Sequence, residues 1–399
     1  MTIGYARSCW CVRVVGVWAA CALTFLPIPT DGPCHPGAAI AAVPCATSPA
    51  ASSATLRSVT VPRDANAVVV DQRLSRAYVG ASTDALNTST LSVFDTCTGT
   101  LIRTIALDGY ARPVAVDVTT GTLLVSRTPP SGTGRVSLLD ERTGHILRTI
   151  ALSIGAVVVD DPLGRAFVTN DRGTSMLDVR TGHVLFVRAG LNGALVVDER
   201  RQHVFVVTQR FDHGTVTMLD ARTGALLRSI PIGARPIAAA ADAWTGRVFV
   251  ANQDHSTVDV LDAETGTDIR CVPIGEGPTA LIIDERIGRV FVGRDDGSVS
   301  VLDAMTGQVL RTRARQALLR AVDEQRGRVF LTSPGRYDPV QSRYTSPGHV
   351  RIVDALSGVP LQTFTVGHKP GLIAIDEHTG RAFVVDEYDD TVTILPPSA

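Results

Sequence analysis

At 399 residues with a formal net charge of −1, the chain has no overall charge bias toward nucleic acid or an anionic membrane. Apolar residues make up 45% and charged residues 19%, which excludes a disordered protein, and 22 prolines suit a β-rich chain with many turns. Seven cysteines include no Cys-x-x-Cys pair, which removes the usual zinc and thioredoxin-like readings.

Arg7 and Arg13 precede an apolar stretch, Val14 to Ile28, and then a Pro/Ala/Ser-rich segment containing Ala38-Ala39-Ile40-Ala41-Ala42. This order predicts a secretory signal peptide over residues 1–42 and a linker over 43–54, with the folded part spanning 55–399. The apolar stretch is about 15 residues, short of the roughly 20 that span a bilayer. An uncleaved anchor is the alternative, and membrane contact is expected only through it. Cys21, Cys34 and Cys45 lack the aliphatic residue three positions earlier that a lipidated cysteine would have. An extracytoplasmic location follows. Cys97 and Cys271 fall in separate repeats, so no disulfide is expected between them.

From there the chain repeats. Asp-x-x-Thr-Gly recurs every 38 to 51 residues, at Asp95, Asp140, Asp178, Asp220, Asp262 and Asp303, and at Asp354 with Ser357 replacing Thr. An apolar run enters and another leaves each copy, the pattern of two antiparallel strands about a tight turn. Upstream of each lies a second phrase, an apolar strand ending in Asp at 71, 117, 160, 198, 242, 284, 323 and 376. Five positions on stands Arg in six copies (Arg76, Arg165, Arg247, Arg289, Arg328, Arg381), which predicts a cross-strand ion pair with that Asp.

Each unit therefore holds four strands: A ends at the first Asp, B follows the Arg, C ends at the second Asp, and D follows Thr-Gly. Strands A, B and C occur eight times, whereas D follows only the seven Asp-x-x-(Thr/Ser)-Gly phrases. Leu56–Val61 resembles the D strand Leu227–Ile232 but precedes every A strand. The count predicts an all-β fold, a single β-propeller of eight four-stranded blades, closed by an N-terminal outer strand on the C-terminal blade. Seven blades is the runner-up. Strand B repeats one aromatic, at Tyr78, Phe167, Phe205, Phe249, Phe291, Phe330 and Phe383, suited to the gap between blades. Strand D repeats an Arg, at 57, 103, 148, 228, 270 and 311. This ring reads as charge protecting outer edges, with nucleic-acid contact as the weaker reading.

Phe167-Val168-Thr169-Asn170 and Phe249-Val250-Ala251-Asn252, between the Asp-ending strands and the Asp-x-x-Thr-Gly phrases, resemble the YVTN family of bacterial β-propellers, the YncE-like proteins. The resemblance covers roughly residues 56 to 395, while Tyr78-Val79-Gly80-Ala81 departs from the signature. It implies an exported or surface protein, mostly non-catalytic, with no catalytic positions to carry over. Pyrroloquinoline-quinone dehydrogenases also carry Asp-x-x-Thr-Gly but place Trp four residues after the Gly. Here that place holds Arg103, Arg148, Phe186, Arg228, Arg270, Arg311 and Gln362.

Function is expected at the mouth of the channel where D–A and B–C loops meet. The longest B–C loop, Ser333–His349, carries Arg336, Tyr337, Arg343 and Tyr344, and loops of this length are often functional. The D–A connections add Tyr110, Arg235, His368 and Lys369. The acidic run Asp386-Glu387-Tyr388-Asp389-Asp390 makes Asp386, Asp389 and Asp390 candidates for calcium or another divalent metal. No other cofactor is expected, and a monomer is expected. These residues point to a non-enzymatic scaffold binding a protein or small ligand. The alternative is a lactonase-, lyase- or oxidoreductase-like propeller with a metal or cofactor at the same mouth.

Overall fold

The computed structural model describes residues 56–62, 65–83, 88–129, 132–209, 213–275, 277–313 and 317–397. The leader and linker fall outside the described residues. Eight four-stranded antiparallel sheets form eight blades, and among the described residues there is no helix. In blade 4, for example, Gly193–Asp198, His203–Gln209, Gly214–Asp220 and Leu226–Ile232 are strands A to D, innermost to outermost. Blade 8 takes strands A to C from the C-terminus and strand D, Arg57–Thr60, from the N-terminus, with Arg57 opposite Ile394 and Thr60 opposite Thr391. The eight-bladed count and its closure are as the sequence predicts.

The core is a series of clusters between neighbouring blades. Phe249, for instance, packs with Val260 of its own blade and with Leu281, Val290 and Leu302 of the next. All seven recurrent aromatics are buried, and Leu124 takes the same place in blade 2. Each is the wedge that fills a gap too wide for backbone contact.

The turns explain the repeat. At each Asp-x-x-(Thr/Ser)-Gly, Asp Oδ1 accepts hydrogen bonds from the amide and the hydroxyl of the Thr or Ser, as Asp220 does from Thr223 at 2.7 Å each. The Gly then takes a positive φ, 64° to 76° in the seven copies, where a side chain would be strained.

The A-strand aspartates are fully buried and spend Oδ1 on turn amides, as Asp242 does on Trp244 and Thr245. The predicted Asp/Arg pairing is formed by Arg328 and Asp323 at 2.5 Å. In three other copies it is corrected: Arg165, Arg247 and Arg289 turn instead to the C-strand carboxylates Asp178, Asp262 and Asp303, at 2.5, 2.9 and 3.0 Å, and Arg381 donates to Cys97 O at 3.2 Å. Those carboxylates are 20% to 27% exposed, whereas the A-strand aspartates are fully buried, so pairing there dehydrates the guanidinium less.

The D-strand arginines are likewise not simple edge charges. Arg103 donates to Glu141 O at 3.1 Å, Arg228 to Thr265 O at 2.8 Å and Arg311 to Ala355 O at 2.7 Å, each in the C–D turn of the next blade. Arg57 reaches Thr98 O of blade 1 at 3.5 Å, so the same clamp spans the closure.

Candidate functional site

The predicted long loop is not structureless. Tyr337–Asp338 and Arg343–Tyr344 pair as a short hairpin standing on the mouth of blade 7. Its base is tied to the next connection, where Gly335 N donates to His368 O at 2.7 Å. The hairpin thereby lays Tyr344 against blade 8.

Four rings from three separate segments meet there. Tyr337 and Tyr344 lie edge to face at 5.1 Å between centroids, Tyr344 and Tyr388 at 4.9 Å, and His368 and Tyr388 at 5.8 Å. Such pairs are favourable beyond the area they bury. Tyr337 and Tyr388 remain nearly half exposed, at 49% and 44%, and Val340 at the hairpin tip is 92% exposed. The result is a half-exposed aromatic cluster at the mouth of blades 7 and 8.

Beneath the rings, carboxylates fix the connection. Asp389 accepts from the His368 amide at 2.5 Å and pairs with His368 Nδ1 at 2.7 Å. Asp386 Oδ1 accepts from the Lys369 amide at 3.1 Å, and Lys369 Nζ meets Glu387 at 2.7 Å. Gly367 lies so close that a Cβ there would collide with both Asp386 and Asp389. Burial, and then the neighbouring Asp389, push the Asp386 carboxyl up to about 6. Burial also acts to raise Asp389, but the His368 amide and ring outweigh it and hold that carboxyl low.

Of the predicted residues, the structure brings Tyr337, Tyr344, His368, Lys369, Asp386 and Asp389 into one cluster. Arg336 and Arg343 are exposed on the same hairpin, with Arg343 Nε bonded to Gln341 at 2.7 Å. Asp390 is a turn residue with φ 56°, its carbonyl accepting from Val61 N. Tyr110, at the start of blade 2, and Arg235, between blades 4 and 5 and 3.5 Å from Asp254, sit on other sectors of the mouth. Among the described residues no three His, Cys, Asp or Glu side chains converge in the way a metal ion requires. Cys271 is a free, exposed thiol and so is not joined to Cys97.

The central channel holds about 1080 Å³ and is walled mainly by A-strand aliphatics such as Val196, Ile283 and Ile375. At its far end lies a feature that sequence reasoning missed. Asp161, Glu199, Glu285, Glu324 and Glu377 each directly follow a buried A-strand Asp. Each accepts the amide at the matching position of the preceding blade: Val118, Asp161, Ala243, Glu285 and Glu324 donate at 3.0 to 3.4 Å. The signal was present as an acidic pair in five of the eight units.

The fold and its repeats define an eight-bladed β-propeller repeat protein. A family model described as outer membrane protein assembly factor BamB matches residues 87–266. The solved structure of BamB from Moraxella catarrhalis is 15% identical with a TM-score of 0.60, covering 85% of this chain and 98% of that one. The computationally designed Ika8 protein is 19% identical with a TM-score of 0.65, covering 84% and 97%. The C-terminal WD40 domain of Sif2 is 12% identical with a TM-score of 0.65, covering 86% and 99%. At these identities the likeness shows the fold alone. No curated protein matches the chain in sequence.

Proposed function

We propose that this chain is an exported, non-enzymatic propeller scaffold that binds a partner protein at the blade 7–8 sector of its loop mouth. The carrying observation is the convergence of Tyr337, Tyr344, Tyr388 and His368 from three segments into one half-exposed cluster. Rigid tyrosines on a fixed base lose little entropy on binding, and Tyr is enriched among residues that dominate interface energies. The leader-like start and the YVTN-like repeats support export. The match of part of the chain to an outer membrane protein assembly factor supports a protein partner in an extracytoplasmic setting.

Lys369 is the chain's single lysine and borders the cluster, so an amine-directed photo-crosslinker would report on this sector. The exported protein carrying that label should capture a partner. Tyr337→Ser with Tyr388→Ser should reduce capture by about tenfold or more, the loss of two hot-spot side chains, while leaving the melting temperature nearly unchanged. Undiminished capture by the double variant would overturn the assignment.

A further inference from the structure

The ring closes on its shortest outer strand. Arg57–Thr60, the D strand of blade 8, has four residues, against five to nine in the other seven D strands. Of the four, only Val59 is half-buried, and the other three are exposed. Past the strand, Val61 N donates to Asp390 O at 2.9 Å and the chain enters blade 1. That end is held. At the other end blade 8 meets the C–D turn of blade 1. The Thr96 hydroxyl donates to Asp376, Arg381 Nε donates to Cys97 O at 3.2 Å, and Arg57 reaches Thr98 O at 3.5 Å. Three successive residues of one turn thus take partners from the blade across the closure.

The middle residue of that turn, Cys97, is half-buried and disulfide-bonded. Cys271 is a free thiol, so of seven cysteines only Cys9, Cys11, Cys21, Cys34 and Cys45 are left as its partner. All five precede the closing strand. Cys45 lies twelve residues before Arg57, a length of chain that spans up to about 40 Å, and Arg57 itself already touches the Cys97 turn. We infer that Cys45 and Cys97 form a disulfide clasp that fixes the start of the closing strand to blade 1. The choice of Cys45 over the other four rests on the exported reading above, in which residues 1–42 are removed. Outside the cytoplasm the two thiols give up two protons and two electrons to a disulfide oxidant by exchange, and the oxidant leaves as two thiols. The bond joins residues 52 apart, so it removes much freedom from the unfolded chain and holds the short strand at both ends.

The test is non-reducing peptide mapping by mass spectrometry of the chain expressed with its own leader, followed by melting with and without reductant. The map should show a Cys45–Cys97 linked peptide and a free Cys271. Reduction should lower the melting temperature of the wild type by about 5 °C, the effect of a cross-link over so long a loop in a chain of this size. Cys45→Ser should melt with the reduced wild type and ignore reductant, while Cys271→Ser should behave as the wild type. On reduction the amides of Arg57–Thr60 should exchange about tenfold faster, and those of Leu226–Ile232 in blade 4 should not change. Reduction of the folded wild type keeps the test open should the Cys45→Ser variant fail to fold. A free Cys97, a link from Cys97 to any other cysteine or to a second chain, or a Cys45→Ser variant that melts with the oxidised wild type would each overturn the inference. The same map reads the N-terminus. A Cys45–Cys97 link in a chain that keeps residues 1–42 upholds the clasp and refutes the processed, exported reading, whereas a processed chain with Cys97 free does the reverse.

Discussion

Ser75, like Gln202 in blade 4, departs from the other six repeats at the scale of a single residue. In six blades the position before the B strand is Gly at φ 59° to 77°, and Ser75 holds the same left-handed turn at φ 52°. A non-glycine residue there is strained by about 1 kcal/mol. Its hydroxyl is also buried with no hydrogen-bond partner, a further cost. Ser75→Gly should therefore stabilise the protein by about 1 kcal/mol, despite the added chain entropy of glycine. A denaturant midpoint unchanged or lowered would show that the backbone strain is absent.

Between elements, magnitudes separate the wedge from the clamp. Phe249 fills the gap between blades 5 and 6, and its replacement by Ala leaves a cavity costing about 3 to 5 kcal/mol. Arg228 joins blade 4 to blade 5 by one hydrogen bond to Thr265 O at an exposed rim, and Arg228→Ala should cost about 1 kcal/mol. Denaturant titration of the two variants checks the ranking, and equal losses would refute it. Both wedge and turn were legible in the sequence because each rests on a residue type at a fixed repeat position. The arginine partners were not. The register places Arg165 opposite Asp160 on one side and Asp178 on the other, so spacing cannot choose between them. Burial decides, and burial depends on the neighbouring blade. The aromatic cluster was half legible: its loops were identifiable by length and charge, but the contact of Tyr344 with Tyr388 depends on the hairpin that the long loop forms.

For the whole molecule, closure and the inner carboxylate ring have opposite histories. Closure followed from counting strands, since seven internal D strands and eight of each other strand leave one place for Leu56–Val61. The ring needed the geometry, because only the barrel-like arrangement of A strands brings acids from five blades around one channel. That arrangement has a pH consequence. Burial, and then Asp117 and Glu199, push Asp161 up to about 8, while burial and neighbouring carboxylates push Glu199 and Glu377 up to about 7. A carboxyl raised on folding binds its proton more tightly in the folded state. The stability it lends is therefore present below the unfolded value of about 4 and is lost as pH rises through about 7 to 8. The turn aspartates act in the other direction. Hydroxyl and amide hydrogen bonds hold Asp140, Asp220 and Asp354 low, so their contribution is present above about pH 4 and is lost as pH falls further. Together they place maximal thermal stability near about pH 5, with a decline toward about pH 8. Glu199→Gln with Glu377→Gln keeps an oxygen for each blade-to-blade amide but removes two ionisations, so it should flatten that decline. A melting temperature that rises from pH 5 to pH 8, or a slope unchanged in the double variant, would show that these carboxylates ionise without cost to the ring.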